Sequence, residues 1–322
     1  CQREGRGFDP LCPLQKLDVI KSKFITKLFQ NFLKNKDIRI YKKSFLYYLI
    51  FRCIRNFLDD DIIINIYNFK IFGSIKKNNT SYFLLKKCEF GDYHEIATLE
   101  KFSRYQKILL IDCGCNYGFY SFYVASISKE NKVIAIEASK KTSNFFLKNQ
   151  SLNKFENIMF NNYAISDNDN KEVLFNESDN DWESSLTHDN FTSKFTTKVK
   201  TQKIDTLIKN YKLEDYALFI KLDIEGNEIQ ALKGGTNIIK EFSPIIIIEL
   251  SKFIFDNKKN IDYMKFFLSN FDYQIYDIKK NKVEMSEIID KINLLTKRHK
   301  TIGNYFLIKK NSKQLNLFLN ND

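Results

Sequence analysis

From residue 16 onward apolar side chains recur at helical steps. Leu17, Ile20, Phe24, Leu28 and Phe32 form one stripe, and a second apolar run extends from Ile38 to Leu58 with lysines and arginines between. Two amphipathic helices are predicted. Between 62 and 90 the pattern shortens to alternating runs, "IIINIYNFKIFGSIKK" and "SYFLLKK", which read as strands of a small antiparallel element. Helical spacing returns in "YHEIATLEKFS" at 93–103. Beyond it, helical stretches alternate with continuous apolar runs at 108–112, 133–137, 158–163, 217–223 and 245–250. Strands that are apolar on both faces and separated by helices belong to a parallel sheet covered on both sides. "YQIYDI" and "IGNYFLIKK" supply two more strands, the last with an antiparallel option. The expected fold is therefore α/β, a Rossmann-like, doubly wound, mostly parallel seven-stranded sheet with helices on both faces. A basic helical extension over 16–60 and the small β element precede its core, and the main domain is expected over 61–322 with its core at 90–310.

Composition agrees with a folded chain: of 322 residues, 43% are hydrophobic and 15% aromatic. The net charge of +12 is unevenly placed. Residues 16–55 hold eleven Lys/Arg against Asp18 and Asp37, which leaves only +3 for the remainder. The main domain is thus not a basic nucleic-acid surface, and no nucleic-acid partner is expected. The basic helices either pack with a solvated face or make peripheral contact with an anionic membrane or a partner. "FLYYLIF" at 45–51 is too short to span a bilayer. Six cysteines at 1, 12, 53, 88, 113 and 115 show no zinc or disulfide spacing, so a reduced, cytoplasmic chain is expected, with membrane association as an option. The first fifteen residues, "CQREGRGFDPLCPLQ", hold two of the three prolines and are set aside from the fold.

Four of the buried runs arrive at an acid: "KILLID" at Asp112, "KVIAIE" at Glu137, "LFIKLD" at Asp223 and "IIIIEL" at Glu249. In an open parallel sheet ligands bind outside the carboxyl ends of the strands, so these four residues are expected at one crevice. After the first of these strands, "DCGCNYGFYS" places Gly114 and Gly118 where bare backbone would admit a cofactor, directly before a helix. The glycines are four apart rather than in a G-x-G-x-x-G pattern, and Asp112 is poorly suited to a pyrophosphate. Both features speak against an oxidoreductase. An acid there suits a cofactor with an ammonium and a sulfonium. Glu137 follows the glycine loop by about twenty residues, the spacing of a carboxylate that accepts hydrogen bonds from a ribose diol. The combination favours S-adenosylmethionine.

In order along the chain, "IDCGCNYGFYSFYVA", "VIAIEAS", "NYAISD", "VKTQKIDTLI", "FIKLDIEGNEIQALKGG" and "SPIIIIEL" resemble the FkbM-type methyltransferases, a branch of the class I S-adenosylmethionine-dependent enzymes. The resemblance covers roughly 90–250. Cys115 stands where that family usually has Ala, and Ala138 where it often has Pro. The resemblance implies that Asp112, Gly114, Asn116 and Gly118 wrap the methionine part of S-adenosylmethionine. It further implies that Glu137 and the adjoining Ala138 hold the ribose, that the stretch from Ala164 and Ile165 to Asp167 lies near the adenine, and that Asp223 lies near the methyl donor. The reaction class it implies is O-methylation of a hydroxyl on a sugar, glycan, glycolipid precursor or natural product. A non-catalytic cofactor-binding or membrane- or partner-docking module with this fold is the alternative, and an NAD-dependent oxidoreductase the weaker one.

Methyl transfer to a hydroxyl needs a base, because the hydroxyl is a poor nucleophile. Candidates are Asp223, Glu225, Glu228, Glu249 and His188, the last in the polar insertion "WESSLTHDN", where a plain surface histidine is the preferred reading and a base the alternative. Lys221 shares a side of its strand with Asp223 and either positions the acceptor or neutralises a carboxylate. Trp182 in the same insertion could stack on an acceptor ring or fill an apolar patch. No metal is assigned, although Asp223, Glu225 and Glu249 together offer hard oxygen ligands. Oligomeric state is not legible.

Overall fold

A computed structural model describes residues 13–34, 36–58, 62–73, 79–177, 195–296 and 300–320. The chain divides into two compact units, Cys1–Phe90 and Gly91–Asp322. The boundary leaves the small β element with the basic helices.

In the first unit, helix α1 (Pro13–Leu33) begins inside the segment set aside from the fold. Helix α2 (Phe45–Ile54) is shorter than its apolar run, because Ile38–Tyr41 and Arg55–Phe57 form separate tight helical turns. Ser44 caps α2 by accepting from the Tyr47 amide at 3.1 Å. Strands β1 (Ile62–Ile66) and β2 (Phe69–Gly73) make the expected antiparallel hairpin. "SYFLLKK" is not a strand: it lies in helix α3 (Asn79–Lys87). Its buried positions Ser81, Leu84 and Leu85, with Cys88 just beyond the helix, are three, four and seven apart, which is helical spacing that a period-two reading missed. Tyr47 and Phe51 stack and both rings pack tilted against Phe29, and the Tyr47 hydroxyl donates to the Leu85 carbonyl at 2.8 Å.

The second unit opens with α4 (Tyr93–Ser103), then β3 (Lys107–Cys113), α5 (Phe119–Ile127), β4 (Lys132–Ile136), α6 (Lys140–Asn153) and β5 (Ile158–Asn161). A side excursion follows: β6 (Ala164–Ile165), β7 (Glu172–Glu177) and β8 (Phe195–Gln202), forming a separate three-stranded sheet. The chain returns through α7 (Ile204–Ile208) to β9 (Tyr216–Leu222), α8 (Glu228–Gly234), α9 (Thr236–Phe242) and β10 (Ile245–Ser251). The remainder is α10 (Lys252–Phe255), α11 (Lys258–Asn270), β11 (Tyr273–Tyr276), β12 (Lys282–Val283), α12 (Met285–Asn293), β13 (Thr301–Lys309) and α13 (Lys313–Leu319).

The main sheet has eight strands in the order β12-β11-β13-β10-β9-β3-β4-β5, one more than expected, the addition being the two-residue edge strand β12. From β5 to β10 all neighbours are parallel, and β13 enters antiparallel between β10 and β11. Central strands β3, β9 and β10 are buried nearly throughout, as their unbroken apolar runs require. On one face Phe102 of α4 meets Phe219 edge-on at 5.1 Å between ring centres; elsewhere Phe122, Phe146 and Phe160 stack in series.

Sequence order reverses between β3 and β9. The chain runs from β3 outward to β5, crosses back, and resumes at β9 beside β3. Such a switch point opens a crevice at the carboxyl ends of the two strands, because their connections depart in opposite directions.

Candidate active site

Asp112 and Lys221 are register partners on β3 and β9 at that switch point. Asp112 is 1% exposed; its Oδ2 accepts from the Ser121 hydroxyl at 2.6 Å, while Oδ1, also buried, has no partner. Burial raises its pKa against the opposing pull of Lys221.

Lys221 is equally buried. Its ammonium lies 2.7 Å from Asp223 Oδ2 and 4.8 Å from the centre of the Tyr120 ring. Burial alone would lower its pKa, but Asp223, Asp112 and Asp92 outweigh that and hold it raised, so Lys221 is a fixed cation. Asp92 in turn accepts from the Tyr120 hydroxyl at 2.8 Å. Asp92, Tyr120 and Ser121 were not legible as site residues, since nothing in their local sequence announces a partner on β9 or β3.

The glycines serve the loops more directly than they serve a ligand. Gly114 has φ 77°, and a Cβ there would lie 1.9 Å from the Asp223 carbonyl oxygen. Gly118 has φ 90°, and a Cβ there would meet the Phe122 and Phe146 rings. Both permit the close approach of the two strand ends and of α5, not simply bare backbone for a cofactor. The Asn116 amide donates to Glu137 Oε2 at 3.0 Å and the Ser139 amide to Oε1 at 2.8 Å, which ties the glycine loop to the end of β4. Desolvation nonetheless raises the Glu137 pKa to about 7. A carboxylate has about four acceptor positions, so about two remain for a diol.

Ala138 is half-buried and, with Ala164, packs against Phe175 and Val199 of the side sheet. Ile165 points into the main core, and its backbone carbonyl accepts from the Asn227 side chain. A Cβ on Gly234 would stand 2.1 Å from the Ser166 carbonyl oxygen. The stretch "LDIEGNEIQALKGG" therefore pins the loop after β6 against α8. Gly234 is needed for that approach, and the following cap residue, Gly235, has φ −110° rather than a left-handed angle.

Of the three acids in "LDIEGNE", Glu228 turns back on its own loop. It is 1% exposed and its Oε1 accepts from the Ile224 and Gly226 amides at 3.1 and 3.2 Å. Asp223, Glu225 and Glu249 converge instead: one carboxylate oxygen from each lies within 4.8 Å of the others, all partly buried. Glu225 reaches this position from a left-handed backbone, φ 52°. Burial, then Asp223 and Glu228, push the Glu249 pKa up to about 8. His188 and Trp182 lie outside the described residues.

A mostly parallel sheet with an antiparallel β13, a switch point lined by strand-end acids and a glycine loop tied to the second of them define a methyltransferase-type α/β fold. Residues 112–275 match the methyltransferase FkbM domain model. The chain belongs to that family of S-adenosylmethionine-dependent methyltransferases. No curated relative matches it in sequence. Among solved structures it is similar to the methyltransferase FkbM of Methylobacillus flagellatus KT (16% identity, 90% of this chain and 60% of that chain, TM-score 0.39). It is also similar to M. jannaschii TYW2 in complex with AdoMet (14%, 78% and 87%, TM-score 0.38). A third is the precorrin-6y C5,15-methyltransferase of Geobacter metallireducens (10%, 66% and 84%, TM-score 0.33). The chain thus spans less than two thirds of the Methylobacillus protein.

Proposed function

We propose that this chain transfers a methyl group from S-adenosylmethionine to a hydroxyl oxygen of a sugar, glycan, glycolipid precursor or similar polyhydroxylated acceptor. The observation that carries the reading is the convergence of Asp223, Glu225 and Glu249 beside the crevice. Three carboxylates at such spacing accept hydrogen bonds from neighbouring hydroxyls, which suits a polyol better than an apolar acceptor.

The cofactor side fits on its own terms. Asp112 Oδ1 is buried without a partner, and an ammonium donor would satisfy it. Glu137 retains acceptor capacity for the ribose, with Asn116 and Ser139 holding it in place. Gly114 and Gly118 keep the adjoining loop close, and the backbone from Ala164 to Asp167 borders the adenine side. Bound there, S-adenosylmethionine supplies an electrophilic methyl on a sulfonium.

The residues of the chain then do two things. Asp223, fixed by Lys221, and Glu225 orient the acceptor, which removes much of the entropic barrier to an in-line displacement. Glu249, with a pKa raised to about 8, receives the hydroxyl proton as the oxygen attacks. Lys221 is held protonated and is not the base.

Transfer of labelled methyl from S-adenosylmethionine into an extract of the source organism, followed by identification of the product, tests the reading. A labelled hydroxyl on a carbohydrate supports it; absence of cofactor binding by the folded protein sinks it. Retention of activity in a chelator assigns the acid cluster to proton transfer, and loss restored by a divalent ion assigns it to metal binding.

A further inference from the structure

Helix α2 buries only a narrow strip. Tyr47 and Phe51, one turn apart, are 3% and 2% exposed and pack on Phe29. The opposite face is also apolar: Phe45, Leu46 and Leu49 are 74%, 67% and 39% exposed, with Tyr48 beside them. An isolated exposed leucine needs no explanation, but a helix that shows water its larger apolar face does. Polar residues would serve a solvent-facing helix at no cost to its fold.

Charge narrows what can cover this face. Between Ile38 and Leu58 the chain carries Arg39, Lys42, Lys43, Arg52 and Arg55 and no acid, and Asp59 is the first acid to follow. Lys43 lies just before α2 and Arg52 in its last turn, both exposed, at the two ends of the apolar strip. Lys42 is joined to Glu89, and Arg55 donates to the Tyr82 hydroxyl at 2.8 Å. A second copy docked on the same face would bring like charges together. A lipid surface supplies what both features ask for: anionic headgroups for the cations and an acyl boundary for phenylalanine and leucine.

We infer that the exposed face of α2 is a peripheral docking surface for anionic membranes, with Phe45, Leu46 and Leu49 entering the headgroup boundary and Lys43 and Arg52 pairing with lipid phosphates. No spanning is involved; among the described residues no helix is long and apolar enough to cross a membrane. The helix lies in the interface plane. Its short length makes binding reversible, governed by both apolar contact and charge.

The test is flotation of the full chain with vesicles of phosphatidylcholine alone or with about a third phosphatidylglycerol, an anionic share chosen to give a strong surface potential. The full chain floats with the anionic vesicles, less at high salt. The triple variant Phe45→Ser, Leu46→Ser, Leu49→Ser and the double variant Lys43→Glu, Arg52→Glu each lose binding at least tenfold. Circular dichroism and S-adenosylmethionine binding of both variants establish that they remain folded. Absence of flotation by the full chain, or equal flotation by a folded triple variant, overturns the inference. So does sedimentation showing a dimer that the triple variant dissociates, which would assign the face to self-association.

Discussion

The ammonium of Lys221 lies 2.7 Å from Oδ2 of Asp223, and the lysine is almost wholly buried while the aspartate is about one third exposed. The pair joins the two halves of the crevice. Lys221 faces Asp112 across the β3–β9 register, and Asp223 faces Glu225 and Glu249 at the strand ends. Replacing Lys221 with Met leaves Asp112 buried beside no cation. The expected loss is about 3 kcal/mol or more in denaturant unfolding and grows as pH rises, because burial already raises the Asp112 pKa and protonation of its carboxyl relieves the loss. Lys221→Arg, which keeps the charge, should lose clearly less.

Gly114→Ala and Gly234→Ala should each destabilise the second unit by about 2–4 kcal/mol, from overpacking and, at Gly114, backbone strain. Each Cβ would fall about 2 Å from a backbone oxygen, of Asp223 and Ser166 respectively. Gly91→Ala meets nothing within 4 Å and is the control, with a change within about 0.5 kcal/mol. Thermal unfolding of the three variants reads this directly.

Glu137→Gln retains the shape of the side chain but replaces one acceptor oxygen with a donor facing a backbone amide. Calorimetry should show S-adenosylmethionine affinity reduced by about tenfold or more, as expected for a lost charge-assisted hydrogen bond. Asp112→Asn should weaken it as well. An unchanged affinity for both variants would remove the cofactor assignment.

Stability without cofactor should fall as pH rises. Burial raises Glu137 and Glu228 to about 7 and Glu249 to about 8 from an ordinary value near 4.5. The folded chain therefore binds more protons than the unfolded chain between about pH 4.5 and 8, and unfolding becomes easier across that interval. Scanning calorimetry should give a lower Tm at pH 8.5 than at pH 6. S-adenosylmethionine, with two cationic groups, should narrow the gap.

Glu249→Gln removes the proposed base. A fall in kcat of about 10²–10⁴ is expected, with loss of the acidic limb near pH 8 in the kcat/KM profile. A variant with undiminished kcat would transfer the role elsewhere in the cluster.

Much of this architecture is local in origin. The unbroken apolar runs of β3, β9 and β10 are a direct record of burial on both faces, and the acids that follow them are one-residue events in the same text. "SYFLLKK" was ambiguous because a short apolar run satisfies both periods, and packing of Ser81, Leu84, Leu85 and Cys88 decided for helix. Gly234 is a related case: a glycine in the last turn of a helix reads as simple punctuation until the neighbouring chain, here the Ser166 carbonyl, is in place.

By itself the sequence determined the α/β alternation, the position of the glycine loop, the strand-end acids and the family, since each is carried by contiguous residues. Tertiary structure alone decided that Glu228 is taken up by its own loop while Glu225 and Glu249 join Asp223, and that Asp92 and Tyr120 surround Lys221. It also decided that α2 turns apolar side chains toward solvent. The physical reason is the same in each case: electrostatics and packing depend on distance in space, and strand order, not chain order, sets which side chains share the crevice.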